Sequence, residues 1–467
     1  MMRHGLLVFP DSDYGRSTCV RRVAGLSLLD RGIRTLARQG VTALTVIVPA
    51  GARLPLPGHT RRLPLSLRMV TWDQAHKIRF PDDEPVLVLL GDHVHHHSSL
   101  AAFVAAAAGV SGMLVQTAAA DKGPADAWHV VEDAGTIRFT EPRSAAAPLS
   151  AGSFICPGAL LRDTSMGTAG RDFTGFLASR AYGQPIRLIE LPPLWRVVHD
   201  RRSAAAARNM LFSQVTKPTS GFISRHLNAR ISIPISKILV GTRMSPHMVT
   251  VTFVLSTGLV SAYLISRPDP YWRVALAGLL WQFAAILDRC DGEIARVKLC
   301  ESAFGAWFDT LTDNLAYICT YVALVAGLSY LHPGKAIYPV TGTAAVVALL
   351  FTLGILYTYA RRTGSGSLQH YLRDLNKHVP ETRKGWVQRF MQRVGFVAKR
   401  DCFSFIICIL LVSSQVELTF WFIVILLFVA AVTVLLSQRT MLQAAALNAT
   451  AAAIAPVSAP RSDAEGS

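Results

Sequence analysis

Apolar and polar positions divide this chain into two regimes. Up to about residue 200, short apolar runs alternate with stretches of helical spacing. Residues 5–9 (GLLVF), 44–48 (LTVIV) and 86–90 (VLVLL) have the length and content of buried strands, and Leu29, Ile33, Leu36 and Ala37 recur at the period of a helix. Such alternation predicts an α/β, Rossmann-like domain with a mostly parallel sheet. Ligands of such sheets bind beyond the carboxyl ends of the strands, where Gly91-Asp92 follows the third run. Past residue 245 the pattern changes. Charge-free stretches fall at 248–266, 314–334, 336–360 and 418–438, and two shorter ones, 274–287 and 402–416, lengthen once their polar ends are included. A helix crosses a bilayer with roughly 20 apolar residues, so the pattern predicts an all-α, six-helix transmembrane domain.

Between the two regimes, residues 218–240 mix Ile, Leu and Phe with Arg, Lys and Asn, as in an amphipathic helix lying in a membrane interface. The end of the chain is rich in Ala, Ser and Pro, a composition that does not build a core. The expected division is therefore 1–212 for the α/β domain, 213–245 for the interfacial linker, 246–440 for the membrane domain and 441–467 for a disordered tail.

Charge sharpens this picture. The chain has 467 residues and a net charge of +17, with 51% hydrophobic and 16% charged residues. A basic excess is compatible with nucleic-acid binding, but no basic-aromatic surface pattern accompanies it, and no nucleic acid is expected as partner. Ten Lys/Arg against two acids fall in residues 361–400, between two apolar segments. That distribution marks a cytoplasmic loop facing anionic lipid. With all basic loops on one side, a multi-pass protein of the inner (cytoplasmic) membrane is expected, both termini and the acidic motif described next being cytoplasmic. The amino terminus has no signal-peptide apolar region. The seven cysteines show no CxxC pair, so neither a disulfide framework nor a zinc site is expected.

Candidate chemistry concentrates in Asp288-Arg289-Cys290-Asp291-Gly292-Glu293-Ile294-Ala295-Arg296, followed by Gly305, Asp309 and Asp313. Asp288 and Asp291 are three residues apart on one predicted helix, and Asp309 and Asp313 four apart on the next, so each pair projects from one face. Ionisable groups at membrane depth are costly and normally face a polar cavity. Four converging carboxylates repel one another unless cations hold them, and all-oxygen sites suit Mg²⁺, Mn²⁺ or Ca²⁺.

The spacing D-x2-D-G-x2-A-R-x8-G-x3-D-x3-D resembles the signature of the CDP-alcohol phosphotransferase family at every defined position. The resemblance implies transfer of a substituted phosphoryl group from a CDP-alcohol to an acceptor hydroxyl with release of CMP. It implies Mg²⁺ or Mn²⁺, as two ions, held by Asp288, Asp291 and Asp309. Asp313 is then the general base, a metal ligand, or both. On the same reading Gly292, Ala295, Arg296 and Gly305 line the CDP, and the protein is a homodimer in contact with membrane lipid. Arg296 is equally readable as an interface arginine. Arg361, Arg362, Lys399 and Arg400 flank helix ends and suit an anionic acceptor, although topology alone also accounts for them.

The amino-terminal part resembles the sugar-nucleotidyltransferase family through residues 23–29 (VAGLSLL), 90–94 (LGDHV) and 195–199 (WRVVH). That family's glycine-rich phosphate loop is here Pro10-Asp11-Ser12-Asp13-Tyr14-Gly15-Arg16, with acids where phosphates would approach. Its Lys-Pro is Leu26-Ser27, and its closing metal-binding Asp is Val197 or His199. Asp92 alone remains, so this domain is expected to be degenerate. His93, His95, His96 and His97 are expected in a solvated loop, with transition-metal binding as the alternative. The whole arrangement resembles the bifunctional inositol-1-phosphate cytidylyltransferase/di-myo-inositol-phosphate phosphate synthases. Two further readings stay open, an active cytidylyltransferase with a membrane anchor and a cation-binding, transporter-like protein. The first would call for an intact phosphate loop and the second for inverted repeats.

Overall fold

The computed structural model describes residues 2–52, 60, 63–109, 112–124, 127–133, 136–140, 147–162, 166, 169–170, 172–216, 220–242, 244–363, 400–432 and 434–435. Most of the basic segment and the tail lie outside these. Two compact units are formed, one from Met1–Pro218, Ile233–Met244 and Gly292–Glu301, the other from Thr219–Ser232, Ser245–Asp291 and Ser302–Ser467.

The first unit is built on a nine-stranded sheet of β1 (His4–Val8), β2 (Ala43–Val48), β3 (Ser66–Thr71), β4 (Pro85–Leu90), β5 (Met113–Ala118), β6 (His129–Asp133), β7 (Thr136–Thr140), β8 (Leu149–Pro157) and β9 (Ile186–Glu190). Strands β4, β1, β2 and β3 are parallel neighbours, with Leu6 opposite both Thr45 and Val88. Strand β8 runs antiparallel to β4 and β5, and β6 and β7 form an antiparallel pair. The sheet is thus mixed, not mostly parallel. No helix separates β5 from β8 among the described residues, so the chain returns by antiparallel connections instead of crossovers. Leu6, Leu7 and Val8 are buried together because both faces of β1 are covered, which is why the run is apolar without alternation.

Helices α1 (Asp13–Val20), α2 (Leu28–Arg38), α3 (His97–Ala106), α4 (Phe173–Arg180) and α5 (Arg201–Ser213) complete this part. Ser27 caps α2, its hydroxyl accepting from the Asp30 N–H at 3.2 Å. The histidine cluster is not a solvated loop. His93–His95 pairs as a strand with Trp195–Val197. The two-residue period puts His93 and His95 on one face, where their rings stack on each other, and His93 stacks on Trp195. Burial pushes the His95 imidazole down to about 3, keeping it neutral.

Within the same unit, helix α2 presents three arginines to residues 297–301. Arg31 Nη1 donates to the Val297 carbonyl at 2.9 Å, Arg34 Nη1 donates to the Lys298 carbonyl at 3.0 Å, and Arg38 pairs with Glu301 at 2.6 Å. Carbonyls at a helix end have no intrahelical donor, and guanidinium groups supply it.

Beyond residue 220 the described chain is helical, with Ile233–Met244 and Gly292–Glu301 belonging to the first unit. A π-helical turn (Ser224–Asn228) leads into α6 (Ala229–Leu239), followed by α7 (Pro246–Ile265), α8 (Tyr271–Val297), α9 (Ala303–Leu331), α10 (Ile337–Thr363), α11 (Arg400–Val412) and α12 (Val416–Val432). Among the described residues, three helices, Pro246–Ile265, Ala303–Leu331 and Ile337–Ile355, are long and apolar enough to cross a membrane. Helix α8 has the length but carries charges along its last three turns, and α11 and α12 are shorter. Val274, Trp281, Leu324, Tyr338, Leu411 and Phe420 meet in one core. A Cβ on Gly327 would lie 2.3 Å from the Ile265 carbonyl oxygen, so glycine permits the close approach of α9 to the end of α7.

The stretch around α6 is amphipathic with its polar stripe turned inward. Ser224, Asn228, Ser232 and Ser236 recur every four residues and are all buried, while Phe222 and Ile238 are exposed. Asn228 Oδ1 accepts from Gln282 at 2.9 Å, Ser232 Oγ accepts from Arg289 Nε at 3.2 Å, and Ser236 donates to Glu293 at 2.7 Å.

Candidate active site

Asp288 and Asp291 project from α8, and Asp309 and Asp313 from α9. The N-terminus of α9 is fixed by Ser302, whose hydroxyl accepts from the Gly305 N–H at 3.0 Å. Carboxylate oxygens of Asp288, Asp309 and Asp313 lie within 4.8 Å of one another. The Oδ1 atoms of Asp288 and Asp313 are buried and have no hydrogen-bond partner among the described residues. Buried anionic oxygens turned toward each other fit a hard divalent cation, which accepts several carboxylates in its shell. A soft or nitrogen-preferring metal does not fit this donor set.

Asp291 is placed differently. It is 9% exposed, and its Oδ2 accepts from the Thr250 hydroxyl at 2.6 Å. Thr250 belongs to a π-helical turn within α7, a local widening that is common at functional positions. Sequence reading missed Thr250, because nothing in its neighbourhood distinguishes it from other threonines of an apolar helix.

Arg400, read from the sequence as an acceptor-side cation, stands inside the acidic cluster. Its Nη1 donates to Asp288 Oδ2 and to Asp313 Oδ2, each at 2.5 Å. As the first residue of α11 it supplies positive charge where three carboxylates would otherwise repel one another. Asp401, the next residue, bonds elsewhere. Its Oδ2 accepts from the Ser224 N–H at 3.0 Å. Arg289 turns away to Ser224 and Ser232.

The residues expected to line CDP are spread along two helices. Gly305 lies beside His247, a Cβ there standing 3.1 Å from the imidazole Cε1. Gly292, Ala295 and Arg296 fall on the last turns of α8, and Arg296 Nε donates to the Val215 carbonyl at 3.1 Å. Arg361 and Arg362 are in the last turn of α10, and Lys399 lies outside the described residues.

In the first unit, Asp92 follows β4 as expected, yet its carboxylate is already engaged. Oδ1 meets His93 Nδ1 at 2.7 Å, and Oδ2 accepts from the Tyr14 hydroxyl at 3.3 Å. Burial alone would raise the Asp92 carboxyl, but His93 and these hydrogen bonds hold it below the usual range. Burial and the nearby Asp92 charge push the Tyr14 phenol up.

Residues 243–398 match the CDP-alcohol phosphatidyltransferase family. The chain is 36% identical over 195 residues to a protein of Thermococcus kodakarensis named bifunctional IPC transferase and DIPP synthase, a match covering 41% of this chain and 40% of that one. A Rubrobacter xylanophilus protein of the same name is 27% identical over 355 residues, covering 72% of this chain and 78% of the relative. The match thus spans less than half of the Thermococcus protein. The inositol-1-phosphate CTP transferase structure from T. maritima is similar at 12% identity and a TM-score of 0.36, over 47% of this chain and 99% of that one. With the acidic cluster inside the matched segment, residues 243–398 constitute a CDP-alcohol phosphatidyltransferase domain.

Proposed function

We propose that the protein transfers a substituted phosphoryl group from a CDP-alcohol to an acceptor hydroxyl and releases CMP. The observation that carries this reading is the trio Asp288, Asp309 and Asp313, whose oxygens converge within 4.8 Å inside the family-matched segment. Bound there, Mg²⁺ or Mn²⁺ would offset the charge of the donor pyrophosphate. Asp288 and Asp309 would hold the cation, and Asp291, fixed by Thr250, completes the acidic face. Asp313 accepts the acceptor hydroxyl's proton. The hydroxyl oxygen then bonds to the alcohol-side phosphorus as the bond to the CMP phosphate breaks. Arg400 balances the carboxylates until donor and cation arrive, and Gly305, Gly292, Ala295 and Arg296 belong to the CDP side.

The same proposal includes six membrane helices, α7 to α12, with the acidic cluster and both termini cytoplasmic, two ions per site and a homodimer. The exposed apolar residues Phe222 and Ile238 suit a membrane interface. The amino-terminal domain is inactive in nucleotidyl transfer, since Asp92 is held by His93 and Tyr14. The product is either an inositol-phosphate diester or a phospholipid-type headgroup linkage, since the relatives include proteins named bifunctional IPC transferase and DIPP synthase and others named phosphatidylinositol phosphate synthase.

Product identity tests the reading. Proteoliposomes of the full chain would receive radiolabelled CDP-inositol, CDP-diacylglycerol or another CDP-alcohol together with inositol phosphate or inositol. A phosphodiester formed with equimolar CMP is expected from one donor. Absence of CMP release with every donor tried would sink the proposal.

A further inference from the structure

A shallow cavity of about 650 Å³ opens in the first unit beside the start of α5. Arg21, Arg22, His199, Asp200, Arg201 and Arg208 line it, so four guanidinium groups face one carboxylate. That carboxylate is committed elsewhere. Asp200 caps α5, accepting from the Ser203 N–H and from the Ser203 hydroxyl, each at 2.6 Å. None of the four arginines pairs with it among the described residues, and positive charge stays in excess in the cavity.

Two of these donors are withdrawn from solvent with nothing to bond. Arg21 Nη1 and Arg208 Nε are buried without a hydrogen-bond partner among the described residues. Among the described residues, no arginine of this cavity forms an ion pair. A buried guanidinium N–H without an acceptor is unfavourable, and a shift of the Arg21 and Arg208 side chains toward an anion in the cavity would relieve that penalty. Forked, permanently charged donors select phosphate oxygens over a point anion. The volume suits a phosphorylated small molecule better than a bare ion. Cation-dependent chemistry is not built in, because the lining offers a single carboxylate, Asp200, and Asp92 is held by Tyr14 and His93.

We infer that this cavity is a metal-independent phosphate-recognition site, gripping a phosphate or pyrophosphate group through Arg21, Arg22, Arg201 and Arg208. The group arrives either on a soluble phosphorylated compound or on an anionic lipid headgroup. Such a site gives the amino-terminal domain a binding role that does not depend on nucleotidyl transfer.

The test is calorimetric titration of inorganic pyrophosphate into the full chain in phosphatidylcholine nanodiscs with excess chelator. Saturable binding is expected, weakened about tenfold or more in Arg21→Gln/Arg208→Gln. Arg21→Lys/Arg208→Lys should fall between, since it keeps charge but loses the fork. Melting temperature and CMP release from the CDP-alcohol should not change. If the first pair of substitutions lowers the melting temperature, the exposed pair Arg22→Gln/Arg201→Gln takes its place with the same expectation. Repeating the titration in nanodiscs containing phosphatidylinositol separates the two sources. A headgroup occupant weakens pyrophosphate binding to the wild type, and a soluble ligand leaves it unchanged. Absence of pyrophosphate binding, or binding that persists unweakened in a folded arginine-to-glutamine variant, would overturn the inference.

Discussion

Arg400→Gln keeps a hydrogen-bonding amide but deletes the positive charge that Asp288 and Asp313 share. Arg400 Nη1 is 2.5 Å from an oxygen of each, and the side chains are 30%, 14% and 15% exposed respectively. Unit charges about 4 Å apart attract by roughly 4 kcal/mol at an effective dielectric of about 20, before desolvation is subtracted. Stranding a buried charge by removing its partner costs about 3–5 kcal/mol. Partial exposure of Arg400 puts the expectation at the lower end, near 3 kcal/mol. A divalent cation can replace the lost charge, and in the variant it no longer competes with a guanidinium. The assay is denaturant unfolding of the full chain in detergent micelles, in chelator and across a Mg²⁺ titration. The variant should be less stable by roughly 3 kcal/mol in chelator, and the gap should close as Mg²⁺ rises. A variant that unfolds with the wild type in chelator, or a gap indifferent to Mg²⁺, would refute this role for Arg400.

Other expectations follow from single contacts. Thr250→Val removes the hydroxyl that holds Asp291, so the Mg²⁺ affinity read from CMP release should fall roughly 10–100-fold while Thr250→Ser stays near wild type; equal behaviour of the two would exclude the hydroxyl's role. Arg34→Ala leaves Asp30, 1% exposed, without its cation and should cost about 3–5 kcal/mol in urea unfolding, whereas a loss under about 1 kcal/mol would argue that water reaches the carboxylate. Burial holds His95 at about 3 and His96 at about 4, against about 6.5 when unfolded. The unfolded chain therefore binds more protons between those values, and the amino-terminal domain should lose stability as pH falls below about 6.5. His95→Leu should flatten that slope, and an unchanged urea-midpoint profile would show that His95 is hydrated in the fold.

Much of this arrangement can be read in the chain, for reasons that differ by element. The apolar runs at 5–9, 44–48 and 86–90 lie within one residue of β1, β2 and β4, because strands covered on both faces leave a continuous apolar signature. Strand β8 left no such signature. Its buried Ser153 donates to Gln116, which in turn donates to Ser99, so polar side chains fill core positions by bonding one another. The acidic spacing was informative since helical geometry alone puts Asp288 with Asp291 and Asp309 with Asp313 on common faces. Their partners were not legible. Thr250 stands 41 positions from Asp291, and Arg400 stands 112 from Asp288 and 87 from Asp313, distances at which no local pattern operates. The histidine run misled because its pairing strand, Trp195–Val197, lies about a hundred residues on.

The measurement that bears most directly on the central claim is CMP release by the full chain in proteoliposomes supplied with donor and acceptor. It would be run in Mg²⁺ and in excess chelator, for the wild type, Asp288→Asn and Asp313→Asn. Release should require Mg²⁺ or Mn²⁺ and stop in chelator. Asp288→Asn should lose both cation binding and turnover, while Asp313→Asn should still bind cation and donor yet turn over roughly 10²–10⁴-fold more slowly. Undiminished release in chelator, or an Asp313→Asn variant as fast as the wild type, would contradict the account.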